Sequence, residues 1–230
     1  MRTPALQSDR SPRLGRKPRR TQKQRRDETI GRILDATITA LAEHGYTSTT
    51  IGEVCRRSGV SSGGVFRHFP TRLDLMVAAA EEVSERQFVN FRAGLEVLGG
   101  LEERSGADAT VRVVRACLLL LRKACRAPMN AAWYELLGAA RTDPALRDHL
   151  VPMAARYHAQ IADFGRSLPV ADRLPPIQFD AVLFSLVHMF DGEAVASTVH
   201  PQPELEDPRI EIVARMLANV TSRISSDDER

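Results

Sequence analysis

Residues 49–75 read TTIGEVCRRSGVSSGGVFRHFPTRLDL. Thr49 or Thr50 can cap a helix through its hydroxyl, and Ile51 and Val54 give that helix a buried side. Ser58-Gly59-Val60 then makes a tight turn. Ser61 caps a second short helix with Val65 and Phe69 facing inward, and Pro70 stops it. Two short helices joined by a three-residue turn containing Gly match the helix-turn-helix unit. In that unit the second helix enters the major groove of a duplex, its N-terminal residues facing base edges. Gly63 and Gly64 strip the start of that helix of bulk, so a large partner can approach the backbone. The free N–H groups of a helix start point at phosphates.

Upstream, Ile30, Ile33, Leu34, Thr37, Ile38 and Leu41 recur at helical spacing. That helix begins between Thr21 and Asp27 and ends at His44-Gly45, where Gly45 is free to take a positive φ. Downstream, Thr71 caps a long fourth helix. Leu73, Met76, Val83, Phe91, Leu95 and Leu98 mark its apolar face as far as Gly99-Gly100. A loop follows over residues 99–109. The next helix carries the run CLLLL and reaches Arg126, and another runs from Pro128 to Ala140.

Asp143-Pro144 is a start signal, Asp as cap and Pro at the first helical position. That helix extends to about Ser167 with Pro152 inside it, and PVADRLPP is a linker. Residues 177–198 are apolar nearly all round, so this helix is buried on more than one side. A Pro-rich loop spans 198–208. The last helix places Ile210, Val213, Leu217, Val220 and Ile224 in a narrow seam. With no strand pattern and no repeat, the chain reads as all-α, with about nine helices.

Apolar residues make up 43% of the chain and charged residues 27%, an ordinary globular balance. No apolar run reaches the roughly 18 residues of a membrane span. No apolar stretch follows the basic N-terminus, so it does not read as a secretory signal. Cys55, Cys117 and Cys125 are odd in number and lack metal-ligand spacing. They fit free thiols in a reducing cytosol, either as small core residues or as a redox switch. Neither a metal nor a cofactor is expected.

The net charge of +3 is unevenly spread. Residues 1–26 hold ten Lys or Arg against one acid, so the remainder of the chain is net acidic. A basic arm on an acidic body suggests a polyanion at one end, or else a solubilising tail. Residues 1–20, rich in Arg, Pro and Ser, read as a disordered arm. Its stretch Gly15-Arg16-Lys17-Pro18-Arg19-Arg20 is similar to arms that lie along a minor groove. No GxSxG, P-loop, GxGxxG or HExxH is present. His149 and His158 fall on opposite sides of an ideal helix. An enzyme is therefore not expected.

Residues 49–75 closely resemble the TetR family of bacterial transcriptional regulators. The shared pattern is carried by Thr49, Thr50, Ile51, Glu53, Cys55, Ser58-Gly59-Val60-Ser61, Gly63, Val65-Phe66, His68-Phe69, Arg72 and Leu75. The resemblance covers roughly residues 27–76, with no insertion. It implies a homodimer in which each subunit has a three-helix DNA-binding head over residues 21–72. Residues 73–230 would form a helical body that binds an effector and dimerises.

By position, the resemblance assigns DNA contact to Thr50, Ser61, Ser62, Gly63, Gly64, Phe66, Arg67, His68 and Arg72. Arg16, Lys17 and Arg19 of the arm join them. Arg72 stands where a lysine usually meets phosphate. Two departures matter: Phe66 replaces a common Tyr, and Gly64 a common Thr or Ser. Each missing hydroxyl costs about 1 kcal/mol of bonding. The head from Asp27 to Arg72 has five Arg against five acids, so the arm should supply much of the attraction.

For the body, the apolar seams of the last two helices suggest a four-helix interface between subunits. Phe179, Leu183, Leu186 and Phe190 would come from one helix, and Val213, Leu217, Val220 and Ile224 from the other. The alternative is that both helices close the core of a single chain. Trp133, Tyr134, Leu137, Tyr157, Phe164, Phe184 and His188 are candidates for a mainly apolar effector pocket taking a lipophilic or aromatic molecule. Plain core packing is the competing role for each, and Arg122 and Arg141 are candidate receivers of an anion. The expected function is a cytoplasmic, nucleoid-associated repressor, released from a palindromic operator by its effector. The alternative is a DNA-binding regulator without an effector, answering to a protein partner or acting as an activator.

Overall fold

Thr21 opens the first helix through a reciprocal cap: its hydroxyl accepts from the Gln24 N–H, and the Gln24 side chain accepts from the Thr21 N–H. The computed structural model describes residues 21–98, 107–167, 171 and 174–227. The basic arm, with Arg16, Lys17 and Arg19, lies outside the described residues, as do the side chains of Leu95, Leu98, Val220 and Ile224. Among the described residues there are nine helices and no strand.

The helices are α1 (Gln22–Ser48), α2 (Ile51–Ser58), α3 (Ser62–His68), α4 (Arg72–Leu98), α5 (Ala107–Cys125), α6 (Asn130–Ala140), α7 (Pro144–Arg166), α8 (Pro176–Ala196) and α9 (Pro203–Asp227). Local chemistry sets most of their starts. Thr50 caps α2 through the Glu53 N–H, Ser61 caps α3 through the Gly64 N–H, and Asp143 caps α7 through the Leu146 N–H. Thr71 and Asp74 exchange bonds at the start of α4.

Two boundaries differ from the sequence reading. Gly45 does take a positive φ, 77°, but the chain kinks there rather than stopping. Helical bonding resumes because the Thr49 N–H and hydroxyl both donate to the Gly45 carbonyl. The last helix begins at Pro203, within the expected loop, and carries Pro208 inside it. Pro208 is the sixth residue of this helix, past the first turn, so it forgoes one backbone bond inside a helix that continues through it.

Two apolar clusters hold the chain together. The first joins Ile33, Leu41, Val54, Val65, Leu75 and Met76 of the head and α4 to Leu136 and Leu146 of α6 and α7. Each such fully buried aliphatic side chain contributes about 2 kcal/mol. The head is thus continuous with α6 and α7 through a shared core, and packing does not divide at residue 72. The second cluster gathers Val114, Leu118 and Cys125 of α5 with Phe190 of α8 and Ile210 and Ala214 of α9.

That second cluster corrects part of the expected subunit interface. Phe190 is 0% exposed and Phe179 is buried, both enclosed by their own chain. Leu186, Val213 and Leu217 pack half-buried against the same α5 cluster, and Leu183 lines a cavity beside Phe179. The α9 seam residues Ile210, Val213 and Leu217 pack against the α5 cluster. The outward faces carry other residues: Val195 and Val199 around the end of α8, and Leu205, Ile212 and Met216 on α9. Met216 is 62% exposed. No helix among the described residues is long and apolar enough to cross a membrane.

Candidate nucleic-acid interface and effector cavity

The turn between α2 and α3 is made by Gly59, whose φ of 68° is a left-handed conformation that side chains disfavour. Its N–H donates to the Cys55 carbonyl at 3.0 Å, and the Val60 N–H donates to Ser58 Oγ at 3.2 Å. Val54 and Val65 anchor the two helices inward at 0% exposure. The opposite side of α3 is open. Ser61, Ser62, Gly63, Phe66 and Arg67 are exposed, and His68 is half-buried. Phe66 is 45% exposed, a large aromatic surface held in water beside an arginine.

The two glycines of α3 differ in physical role. A Cβ on Gly63 would meet nothing within 4 Å, so no contact within the chain demands glycine there. A Cβ on Gly64 would lie 2.7 Å from Val60 Cγ1. A side chain at Gly64 would press on the Val60 methyl, which would have to shift, and of the two only Gly63 keeps the reading of a bare approach surface. The cap oxygens of Thr50 and Ser61 accept backbone bonds, which leaves each hydroxyl proton free to donate outward.

Charge around the head is largely paired. Glu53 receives Arg56 Nε at 2.9 Å and Nη2 at 2.6 Å, and also receives Arg57. The Arg56 bonds, then those of Arg57, hold the Glu53 carboxyl down at about 2. Arg57 also meets Glu43 at 2.7 Å. Arg67 has no partner among the described residues. Arg72 departs from the expected phosphate-binding role. Its guanidinium donates to the carbonyls of Thr49, at 3.1 Å, and Tyr46, and lies 4.2 Å over the Tyr46 ring. It clasps the end of α1 to the start of α4.

A cavity of about 190 Å³ lies in the body. Of the expected effector residues, Trp133, Tyr157 and Phe164 line it. Tyr134 borders it by donating to Asp191, which does line it. Phe184 and His188 group with the lining His158 instead, at ring distances of 5.0 and 6.2 Å from it. Leu137 is exposed and does not contribute, because it lies on the solvent side of α6. The sequence reading missed Gln87, Phe88 and Phe91 of α4, Cys117 and Leu121 of α5, and Asp191 of α8. The apolar periodicity of Phe88, Phe91 and Leu121 marks burial, and burial alone does not distinguish a cavity wall from filled core; Gln87 and Asp191 carry no such signal.

One end of the cavity is polar. Asn130 Nδ2 donates to the carbonyls of Ala124 and Cys125, and Asn130 Oδ1 accepts from Gln87, which in turn accepts from Tyr157. The Tyr134 hydroxyl lies 2.9 Å from the Cys125 carbonyl and 2.8 Å from Asp191 Oδ1, its one proton shared between the two acceptors. Burial first, and the Asp191 charge second, push the Tyr134 phenol and the Cys125 thiol well above their usual ranges. Both stay protonated, which argues against a reactive thiol at Cys125. Burial lowers His158, so its ring is neutral near pH 7. Arg122 pairs with Glu206 outside the cavity, and Arg141 is exposed on the turn after α6, so neither offers an anion site there.

A capped helix pair around a left-handed glycine turn, on an all-helical body with a cavity, defines a helix-turn-helix regulator. A model of bacterial regulatory proteins of the tetR family matches residues 33–79. A helix-turn-helix transcriptional regulator of Mycobacterium tuberculosis is 38% identical over 198 residues, which span 86% of this chain and 97% of that one. The regulator CymR of Pseudomonas putida is 28% identical over 179 residues, covering 78% of this chain and 84% of its own. The multidrug binding protein EbrR, solved in complex with imidazole, shares the fold with a TM-score of 0.58. It is 23% identical over 82% of this chain and 93% of its own. The chain belongs to the TetR family of bacterial regulators: it is a DNA-binding transcriptional regulator, and the family is not enzymatic.

Proposed function

We propose that the chain is a cytoplasmic, nucleoid-associated repressor. It binds a palindromic operator as a homodimer and leaves it when a small, mainly apolar molecule fills the body cavity. The observation that carries this reading is the position of α4. It begins at Arg72 against the head, buries Leu75 and Met76 in the core shared with the head, and lines the cavity with Gln87, Phe88 and Phe91. Any ligand that moves this wall acts on a helix fixed to the DNA-binding unit. Its effect on operator affinity cannot exceed its preference for the released conformation.

On DNA, Gly63 meets the groove, while Arg67, Phe66, Ser62 and His68 face bases and backbone. The hydroxyls of Thr50 and Ser61 donate to phosphates, and the arm with Arg16, Lys17 and Arg19 follows the adjacent minor groove. The dimer contact uses the outward faces of α8 and α9, with Val195, Val199, Ile212 and Met216. Two heads then read half-sites about one helical turn apart. EbrR, with the same fold, holds a small molecule, which supports a ligand-responsive body here.

The test is release. DNA selected from a random pool is titrated with compound classes, using the protein and Val113→Phe, which adds bulk at a half-buried position lining the cavity. Release by one class, lost in the filled variant with DNA binding retained, supports the reading. Release that persists in the filled variant contradicts it.

A further inference from the structure

Among the described residues lining the cavity, Asp191 is the one acid, and none is Lys or Arg. Its described partners are the hydroxyl of Tyr134 and the thiol of Cys125, both neutral donors. Arg112 and Lys123 of α5 are exposed and do not line the cavity. Arg122 of α5 and Arg126 just after it bind Glu206, and Arg126 and Arg209 bind Glu193. Arg92 of α4 stacks from the exposed side on Phe88 and Phe164 and does not line the cavity. His158 of α7 is neutral, with burial as the main cause. A half-buried carboxylate at the edge of an apolar space, bonded only by neutral donors, gains from a cation placed beside it.

The rest of the wall favours the same charge. Phe88, Phe91, Trp133, Tyr157, Phe164 and Phe179 present aromatic rings to the cavity. The negative face of an aromatic ring attracts a cation and repels an anion. On the polar side, Tyr134 and Asn130 direct their donors at protein acceptors, which leaves few donors for an anionic ligand.

Resting on the effector reading above, we propose that the cavity takes a hydrophobic monocation, an aromatic or alkyl body bearing a protonated or quaternary amine, with Asp191 as the counter-charge. The apolar body fills the space between α4, α5 and α8, and the ammonium group sits beside Asp191. The same wall selects against carboxylates and phosphates of equal size.

Trp133, the only tryptophan in the chain, lines the cavity and reports occupancy by its fluorescence. The probes are benzyltrimethylammonium and its uncharged carbon isostere neopentylbenzene, titrated into the full-length protein and into Asp191→Asn, with calorimetry alongside. The expected result is a preference of about tenfold or more for the cation. In Asp191→Asn that preference disappears while neopentylbenzene binds as before. Equal or tighter binding of neopentylbenzene to the natural protein overturns the charge assignment and leaves the cavity reading standing. A preference that survives in Asp191→Asn overturns the role of Asp191. Absence of binding by both probes, in fluorescence and in heat, removes the cavity reading and this proposal with it. The comparison of isosteres on the natural protein needs no variant, so it still decides if Asp191→Asn fails to fold.

Discussion

Tyr46 donates its hydroxyl to Asp143 at 3.0 Å, joining the last turn of α1 to the first turn of α7. The same carboxylate caps α7 through the Leu146 N–H at 3.0 Å. Arg72 lies over the Tyr46 ring and bonds its carbonyl, so α1, α4 and α7 meet at one polar contact on the border of head and body. Tyr46→Phe should cost about 1 kcal/mol of stability, one hydrogen bond. Asp143→Ala should cost about 2 kcal/mol, because it also removes a helix cap. Chemical denaturation of both variants measures this: a Tyr46→Phe variant as stable as the natural protein would show that the cross-element bond contributes nothing, and equal losses would show that the cap adds nothing.

Gly63 and Gly64 separate two kinds of glycine requirement. Gly63→Ala should leave stability within about 0.5 kcal/mol of the natural protein yet weaken DNA binding, since its Cβ meets only the incoming partner. Gly64→Ala should destabilise the head by about 1 kcal/mol or more, because its Cβ lies 2.7 Å from Val60 Cγ1. Thermal melts paired with DNA titrations distinguish the two. A Gly63→Ala variant with unchanged DNA affinity would remove Gly63 from the interface.

Glu53 gives the head an acid-side pH dependence. Its carboxyl lies near 2 in the folded chain against an ordinary 4.5, because Arg56 and Arg57 bond its charged form. A lowered folded value stabilises above the unfolded one and loses that contribution as protons bind. The contribution is thus complete above about 4.5 and fades as pH falls toward 2. Asp143 is shifted in the same direction, through its Leu146 cap first and Tyr46 second. Between pH 5 and about 2.5, stability of Glu53→Gln should fall less steeply than that of the natural protein. Parallel curves would contradict the pairing.

The basic arm should be visible in the salt dependence. Deleting residues 1–20 should weaken DNA binding and flatten the log–log salt slope by about 0.9 for each phosphate that the arm no longer neutralises. An unchanged slope in the shortened chain would place the attraction elsewhere.

The head was readable in the sequence because its signals are local. Thr50 and Ser61 each cap within three residues, and Gly59 sits where only glycine is comfortable. The body was harder. The α9 seam was correctly seen as apolar, but periodicity does not say whether it meets α5 or another subunit. Pro208 reads as loop because a proline usually breaks a helix, whereas α9 continues through it. Asp191 was not legible as part of the cavity, since its partner Tyr134 is 57 residues away in the chain. Arg72 matched a phosphate-binding position, and only the fold shows its donors directed at α1 carbonyls.

The central claim is that α3, presented twice by a symmetric dimer, reads a duplex. Selection of bound sequences from random DNA, with the mass of the complex determined by light scattering, tests it most directly. The account predicts one inverted-repeat motif with half-sites about one helical turn apart, bound by an even number of chains and lost in Arg67→Ala. A lone chain on the DNA, or enrichment of no sequence even at low salt, would contradict it.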